Sequence, residues 1–174
     1  MDLILWRHAE ALEMREVQDD LDRALTPKGE RQALRMAEWL NRHLPSSTRV
    51  LASPARRTQQ TAAVLDRRVK TVPALAPDGS VEGLLHAARW PDAREPVLVV
   101  GHQPTLGLAA AYLLAGQPLP WAVRKGAVWW LRARAREGQR QVVLHAVMTA
   151  DLAWTDRATS CASSATGARR ALAR

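Results

Sequence analysis

One cysteine and one tyrosine stand in 174 residues, phenylalanine is missing altogether, and no apolar stretch approaches the length of a membrane span. The lone Cys161 excludes an intrachain disulfide framework and any Cys-x-x-Cys metal site. Without an unbroken run of ~18 apolar residues no transmembrane helix is expected. The N-terminus lacks a basic segment, a long apolar core and a small-residue cleavage site, so no signal peptide is read there. These absences together predict a cytoplasmic protein. What is present is globular in character: 47% of residues are apolar, with seven tryptophans supplying most of the aromatic surface. The length suits one domain, expected over residues 1–154, followed by a basic C-terminal tail at 155–174.

Formal net charge is +8, from 25 Lys and Arg against 17 Asp and Glu. Residues 155–174 hold four Arg and one Asp, so +3 lies in the tail and +5 in the body. A basic balance fits acidic partners such as nucleic acid, anionic membrane or phosphate esters, and equally an Arg-rich solvated face. Charge alone does not separate these readings.

Strand and helix signals alternate along the chain. An acid-rich loop over residues 9–25 follows the first apolar run, with six acids and two arginines between 10 and 23. Thr26-Pro27 pairs a hydroxyl cap with proline at the first helical position and predicts a helix to about His43. Ser53-Pro54 repeats that signature and predicts a helix to about Asp66. A short strand near 70–73, a helix capped by Ser80, and a helix from Pro104 to Leu114 follow. Gly126–Ala133 and Gln141–Met148 read as a hairpin turning at Glu137-Gly138. Within it Trp129 and Trp130 alternate faces, which puts one in the core and the other at the surface or a subunit contact. The expected fold is a three-layer α/β/α sandwich with a mostly parallel mixed sheet, finished by that hairpin.

Three apolar runs end on phosphate-handling residues. Leu3-Ile4-Leu5-Trp6 meets Arg7-His8, Val50-Leu51-Ala52 meets Ser53-Pro54 with arginines at 56 and 57, and Val97-Leu98-Val99-Val100 meets Gly101-His102. Short apolar runs between turn signals read as buried strands of a parallel sheet, whose ligands lie beyond the carboxyl ends. Two imidazoles and two guanidinium groups would then converge on one polar hole. A neutral His8 there can attack phosphorus and carry the phosphoryl group, and neighbouring arginines disfavour its protonated form. Arg7 and one of Arg56 and Arg57 would offer forked donors to the equatorial oxygens, and His102 would stabilise developing negative charge. His43, His86 and His145 stand alone and carry no assigned chemistry.

The stretches LWRHAEA, SPARRTQQTA and VVGHQPTL, with LTPKG at Leu25–Gly29, resemble the histidine phosphatase superfamily of phosphoglycerate mutase-like fold. Within it they look like the small SixA-type phosphohistidine phosphatases, and the likeness spans roughly residues 1 to 148. The resemblance implies His8 as nucleophile and a phosphate cage of Arg7, Arg57 and His102. It selects Arg57 over Arg56, because the family's arginine lies four residues after the serine and four before a threonine. Two positions depart from the pattern: Ala9 replaces the usual glycine, and Gln103 stands where Asn or Glu is common. Alanine fits only if the backbone there avoids positive φ, and glutamine is expected to cap the following helix weakly.

Larger relatives use a carboxylic acid to protonate the leaving oxygen; Glu82 is the possible general acid here and Glu10 a second candidate. SixA-type enzymes lack an obvious acid, consistent with the labile N–P bond of phosphohistidine. Only 44 residues separate Arg57 from His102, too few for a large capping insertion, so the site is expected to be shallow. The implied activity is removal of phosphate from phosphohistidine on a signalling protein such as a phosphotransfer domain, with no metal or cofactor. The acidic loop could dock a basic patch on that partner, or could simply be solvated. The alternatives are a small-molecule phosphomonoesterase or mutase-like enzyme, and a non-enzymatic nucleic-acid binder using the basic body and tail.

Overall fold

The computed structural model describes residues 1–14 and 19–153. The expected tail at 155–174, and Glu16 of the acidic loop, lie outside the described residues. The elements run β1 (Asp2–Arg7), α1 (Pro27–His43), β2 (Arg49–Ala52), α2 (Arg56–Ala63), β3 (Val69–Thr71), α3 (Val81–Ala88), β4 (Val97–Gly101), α4 (Thr105–Ala115), β5 (Val128–Arg136) and β6 (Gln139–Met148). Among the described residues, single 3-10 turns also occur at Asp20–Asp22 and Pro73–Leu75.

The six strands form one sheet in the order β3-β2-β4-β1-β5-β6. The first four run parallel, while β5 and β6 are antiparallel to their neighbours. Side chains alternate across a strand, and this sorts the core into two halves. Ile4 and Trp6 join Leu98, Val100 and Trp130 beneath Met36, Ala37 and Leu40 of α1. Leu3 and Leu5 join Val97, Val99 and Leu131 on the other face, against Leu84 of α3 and Leu106 and Ala110 of α4. The result is the expected three-layer sandwich. Because β4 sits between β2 and β1, the carboxyl ends of the three strands that precede the motif residues lie side by side. That is the crevice in which open α/β sheets place their ligands.

Helix α1 begins as its sequence dictates: Thr26 Oγ1 accepts a hydrogen bond from the Gly29 amide at 3.0 Å and Pro27 occupies the first position. Ser80 caps α3 in the same way, accepting from the Gly83 amide. Helix α2 does not follow the rule. It starts at Arg56 with Ala55 as an uncapped N-terminus, and Ser53 lies in the preceding turn. Thr58 Oγ1 and Gln59 Nε2 both donate to the Ser53 carbonyl, which holds that turn out of the helix and frees the serine hydroxyl. The helix stops at Ala63 rather than Asp66, and Asp66 itself adopts φ 52°.

The hairpin turns on Glu137 and Gly138, with φ of 52° and 77°, the pair of positive dihedrals that a two-residue turn requires. Its strands reach Arg136 and Gln139, further toward the tip than apolar alternation marks. Trp130 is buried in one half of the core and Trp129 packs against the other, its ring centroid 6.0 Å from that of Trp121. The two tryptophans do face opposite ways. Trp130 is buried and Trp129 half-buried, because each face of the sheet carries a helical layer.

Candidate active site

Arg7, His8, Arg57 and His102 line one cavity of about 300 Å³, together with Asp20 and Arg23. The ring centroids of His8 and His102 are 5.2 Å apart, and both residues are almost fully buried. The first and third motifs meet directly through the backbone: the His8 amide donates to the Gly101 carbonyl at 3.1 Å, and the Gly126 amide donates to the His8 carbonyl at 3.0 Å. Gly126 takes φ +76° to make this turn, a conformation that glycine reaches without a steric penalty.

His8 Nδ1 lies 2.7 Å from the Ala9 carbonyl oxygen. A carbonyl can only accept, so Nδ1 carries the proton and Nε2 keeps its lone pair. Ala9 avoids positive φ, so alanine in place of glycine is unstrained here. Its amide donates to Thr61 Oγ1, which donates in turn to the Arg57 carbonyl at 2.7 Å. Helix α2 is thereby tied to the segment that carries the histidine.

His102 Nε2 lies 2.8 Å from Ser53 Oγ, and that hydroxyl accepts from the Ala55 amide. The tautomer that satisfies the serine hydrogen has Ser53 donating to Nε2, which leaves the imidazole proton on Nδ1. His102 Nδ1, Arg7 Nε and Arg57 Nε are all buried without a hydrogen-bond partner. All three residues line the cavity, and buried donors are ordinarily paired. Arg7 is anchored by Nη1, which donates to the Val123 carbonyl at 2.7 Å.

Arg57 is 3% exposed whereas Arg56 faces solvent. It is the second helical residue rather than the fourth that cap-plus-proline spacing implied. Its Nη2 donates to the Asp20 carboxylate at 2.7 Å, and Arg23 Nε approaches the other carboxylate oxygen at 3.0 Å. Partial burial pushes the Asp20 carboxyl up, but the hydrogen bond and charge of Arg57, with the charge of Arg23, outweigh it and hold the group below the usual range. Burial, reinforced by the charges of Arg57, Arg7 and Arg23, lowers His8 to about 4. Burial and the charge of Arg57 lower His102 to about 3. Both rings are neutral near pH 7.

The carboxylic acid candidates fall elsewhere. Glu82, in the first turn of α3, is exposed and borders a neighbouring groove instead of the cavity. Glu10 accepts from Lys28 Nζ at 2.9 Å and from Thr26 Oγ1 at 3.1 Å, and these bonds hold it ionised. Ser53 and Arg23 had no assigned site role, and Asp20 was read only as part of an acidic loop that could dock a partner. The spacing Asp20-x-x-Arg23, one residue before Leu25-Thr26-Pro27, was the available signal for the last two. Lys125 borders the cavity as well. Gln103 caps α4 after all, its Oε1 accepting from the Gly107 amide while Nε2 donates to the Trp121 carbonyl. Among the described residues no group of three or more His, Cys, Asp or Glu could hold a metal ion, and no helix is long and apolar enough to cross a membrane.

Such a cavity can bind a tetrahedral oxyanion and set an imidazole lone pair against it. Comparison with known proteins agrees. A model of the histidine phosphatase superfamily (branch 1) matches residues 3–79. An uncharacterized protein of Picosynechococcus sp. is 35% identical over 126 residues, covering 67% of this chain and 75% of that one. Among solved structures, one assigned as phosphohistidine phosphatase SixA of Nakamurella multipartitia superposes with TM-score 0.69 at 30% identity, over 84% of this chain and 94% of that one. The protein histidine phosphatase SixA in complex with tungstate superposes with TM-score 0.66 at 24% identity, over 87% and 98%. Motif order, sheet topology and these matches agree: the chain belongs to the histidine phosphatase superfamily.

Proposed function

We propose that the protein is a phosphohydrolase in which His8 is the nucleophile, and that its substrate is phosphohistidine on a phosphotransfer protein. His8 Nε2 attacks phosphorus while the imidazole of the substrate leaves, forming a phosphohistidine enzyme; water then displaces the phosphoryl group from Nε2 and releases inorganic phosphate. Arg7, Arg57 and His102 Nδ1 donate to the equatorial oxygens, where charge grows in the transition state. The reading rests above all on one observation: three residues brought to one cavity by separate stretches of chain, Arg7, Arg57 and His102, each keep a buried side-chain N–H without a partner, and the cavity also holds His8.

The substrate class is argued from the acids. A phosphomonoester leaves as an alkoxide and needs a protonated carboxyl nearby. Asp20 lines the cavity but is held ionised by Arg57 and Arg23, Glu10 is held ionised by Lys28 and Thr26, and Glu82 borders another groove. A phosphohistidine that carries a proton on its other ring nitrogen leaves as neutral imidazole, so no acid on the enzyme has to protonate the departing atom. The likeness to structures assigned as SixA supports the same choice.

The test is a quench of the wild-type enzyme with a chemically phosphorylated phosphotransfer protein, followed by peptide mapping. An acid-labile, alkali-stable phosphate on His8 is expected, with kcat reduced at least about 10³-fold in His8→Ala. Full turnover by His8→Ala, or phosphate on another residue, would refute the nucleophile. Faster hydrolysis of sugar phosphates or phosphoglycerate than of phosphohistidine would transfer the protein to the small-molecule phosphomonoesterases.

A further inference from the structure

A second groove of about 300 Å³ opens beside the first, lined by Lys28, Arg31, Arg35, Arg124 and Lys125 against the single acid Asp151. Lys125 borders both, so the cationic strip is continuous with the catalytic cavity. Its floor is the same scaffold that holds His8. Gln32 Oε1 accepts from the Glu10 amide at 3.0 Å, and the Gln32 side chain packs beneath Gly126.

The cations of this strip are poorly neutralised. Lys28 is shared with Glu10, and Arg124 lies 3.8 Å from Asp151 with both side chains largely exposed. Arg31 and Arg35, one turn apart on the exposed face of α1, have no ion pair among the described residues. Two of the acids expected to dock a partner are engaged, Asp20 by Arg57 and Arg23 and Glu10 by Thr26 and Lys28, while Glu13, Asp19 and Asp22 are exposed. The groove itself is lined by five cations and one acid.

We propose that the strip from Lys125 across Arg31 and Arg35 is the docking surface for an acidic face of the phosphoprotein substrate. This deepens the phosphohistidine reading and rests on it. A phosphohistidine entering the cavity brings the surface around it against Lys125 and Arg124, and carboxylates there meet five cations held by a rigid helix and a short turn. Rim charges of this sort act on encounter rate and its salt dependence more than on chemistry.

The probes are two phosphohistidine peptides made with phosphoramidate, one flanked by glutamates and one by lysines. Wild-type kcat/KM is expected to favour the acidic peptide about tenfold at low salt, and the preference to vanish near about 0.5 M salt, where screening is short-ranged. The double variant Arg31→Glu with Arg35→Glu, with melting temperature measured alongside, is expected to lose the preference. Binding of the unphosphorylated acidic peptide, which needs no turnover, is expected to weaken about tenfold in that variant. Equal kcat/KM for both peptides with unaltered peptide binding overturns the docking surface and leaves the phosphohistidine reading standing. Hydrolysis of neither peptide, with binding still weakened by the double variant, overturns the phosphohistidine reading and upholds an acidic ligand on the strip. Tighter binding of duplex DNA than of the acidic peptide, lost in the same variant, overturns the protein partner in favour of nucleic acid.

Discussion

The guanidinium of Arg57 already holds an anion. Its Nη1 donates to the Asp20 carbonyl at 2.5 Å and its Nη2 to the Asp20 carboxylate at 2.7 Å. One terminal nitrogen thus meets a backbone carbonyl and the other a single carboxylate oxygen, so both are occupied by Asp20. In the proposed mechanism a phosphoryl group that takes both terminal nitrogens of Arg57 displaces Asp20 from them.

Replacing Asp20 by Asn removes the competing charge while keeping the side chain's size. Inorganic phosphate is expected to inhibit Asp20→Asn about tenfold more tightly than wild type, equivalent to roughly 1.4 kcal/mol. Competitive inhibition constants measured at one ionic strength decide this. Weaker phosphate binding in the variant would mean that Asp20 chiefly positions Arg57.

Protonation of the two histidines offers a second check. With His8 at about 4 and His102 at about 3, both imidazoles are expected to stay neutral across pH 5–8 in nitrogen-edited NMR spectra, where ordinary histidines titrate near 6.5. The folded state thus binds fewer protons than the unfolded state between about pH 4 and 6.5, so stability rises with pH through that window. Below about pH 4 the His8 contribution is fully lost, a change of about 3 kcal/mol. Denaturant melts in steps from pH 7 to pH 4 follow the loss, to which His102 adds, and a flat profile would contradict the buried neutral pair.

Ser53 is a positioning residue, since it reaches the cavity only through His102. Without the hydroxyl, His102 Nε2 loses the partner that keeps the proton on Nδ1. Ser53→Ala is expected to lower kcat about tenfold with KM little changed. The His102 nitrogen shifts should move toward the other tautomer in the same variant. A purely structural serine would alter the melting temperature and leave those shifts alone.

Gly29 links the start of α1 to the segment that follows His8. A Cβ added there would lie 1.9 Å from the Glu10 carbonyl oxygen, a backbone atom that also accepts from the Thr26 amide. Gly29→Ala must push the Ala9-Glu10 segment away from α1. A stability loss of about 2 kcal/mol or more is expected, with a several-fold fall in kcat because His8 Nδ1 is fixed by the Ala9 carbonyl. Thermal melts and steady-state rates test both halves.

The strand ends were legible because β1, β2 and β4 are uninterrupted apolar runs, and a buried parallel strand needs nothing else to declare itself. Arg7, His8 and His102 follow those runs at once, so position in the chain fixed position in the site. Ser53 was misread as a helix cap since Ser-Pro is the usual cap signature. The hydrogen bonds of Thr58 and Gln59 to its carbonyl, formed only in the folded turn, move the helix start to Arg56. Alternation put one of Trp129 and Trp130 in the core without saying which, because it gives the face a residue takes and nothing about what covers that face.

By itself the sequence determined the local periodicities: which runs are strands, where α1 and α3 are capped, and that two imidazoles and two guanidinium groups stand at strand ends. Those are properties of neighbouring residues and of backbone geometry. The tertiary structure alone decided that Asp20 folds inward onto Arg57, that Ser53 sets the His102 tautomer, and that five cations and one acid line the groove beside the cavity. Each of these depends on partners 37, 49 and more residues apart in the chain, brought together only when β4 inserts between β1 and β2.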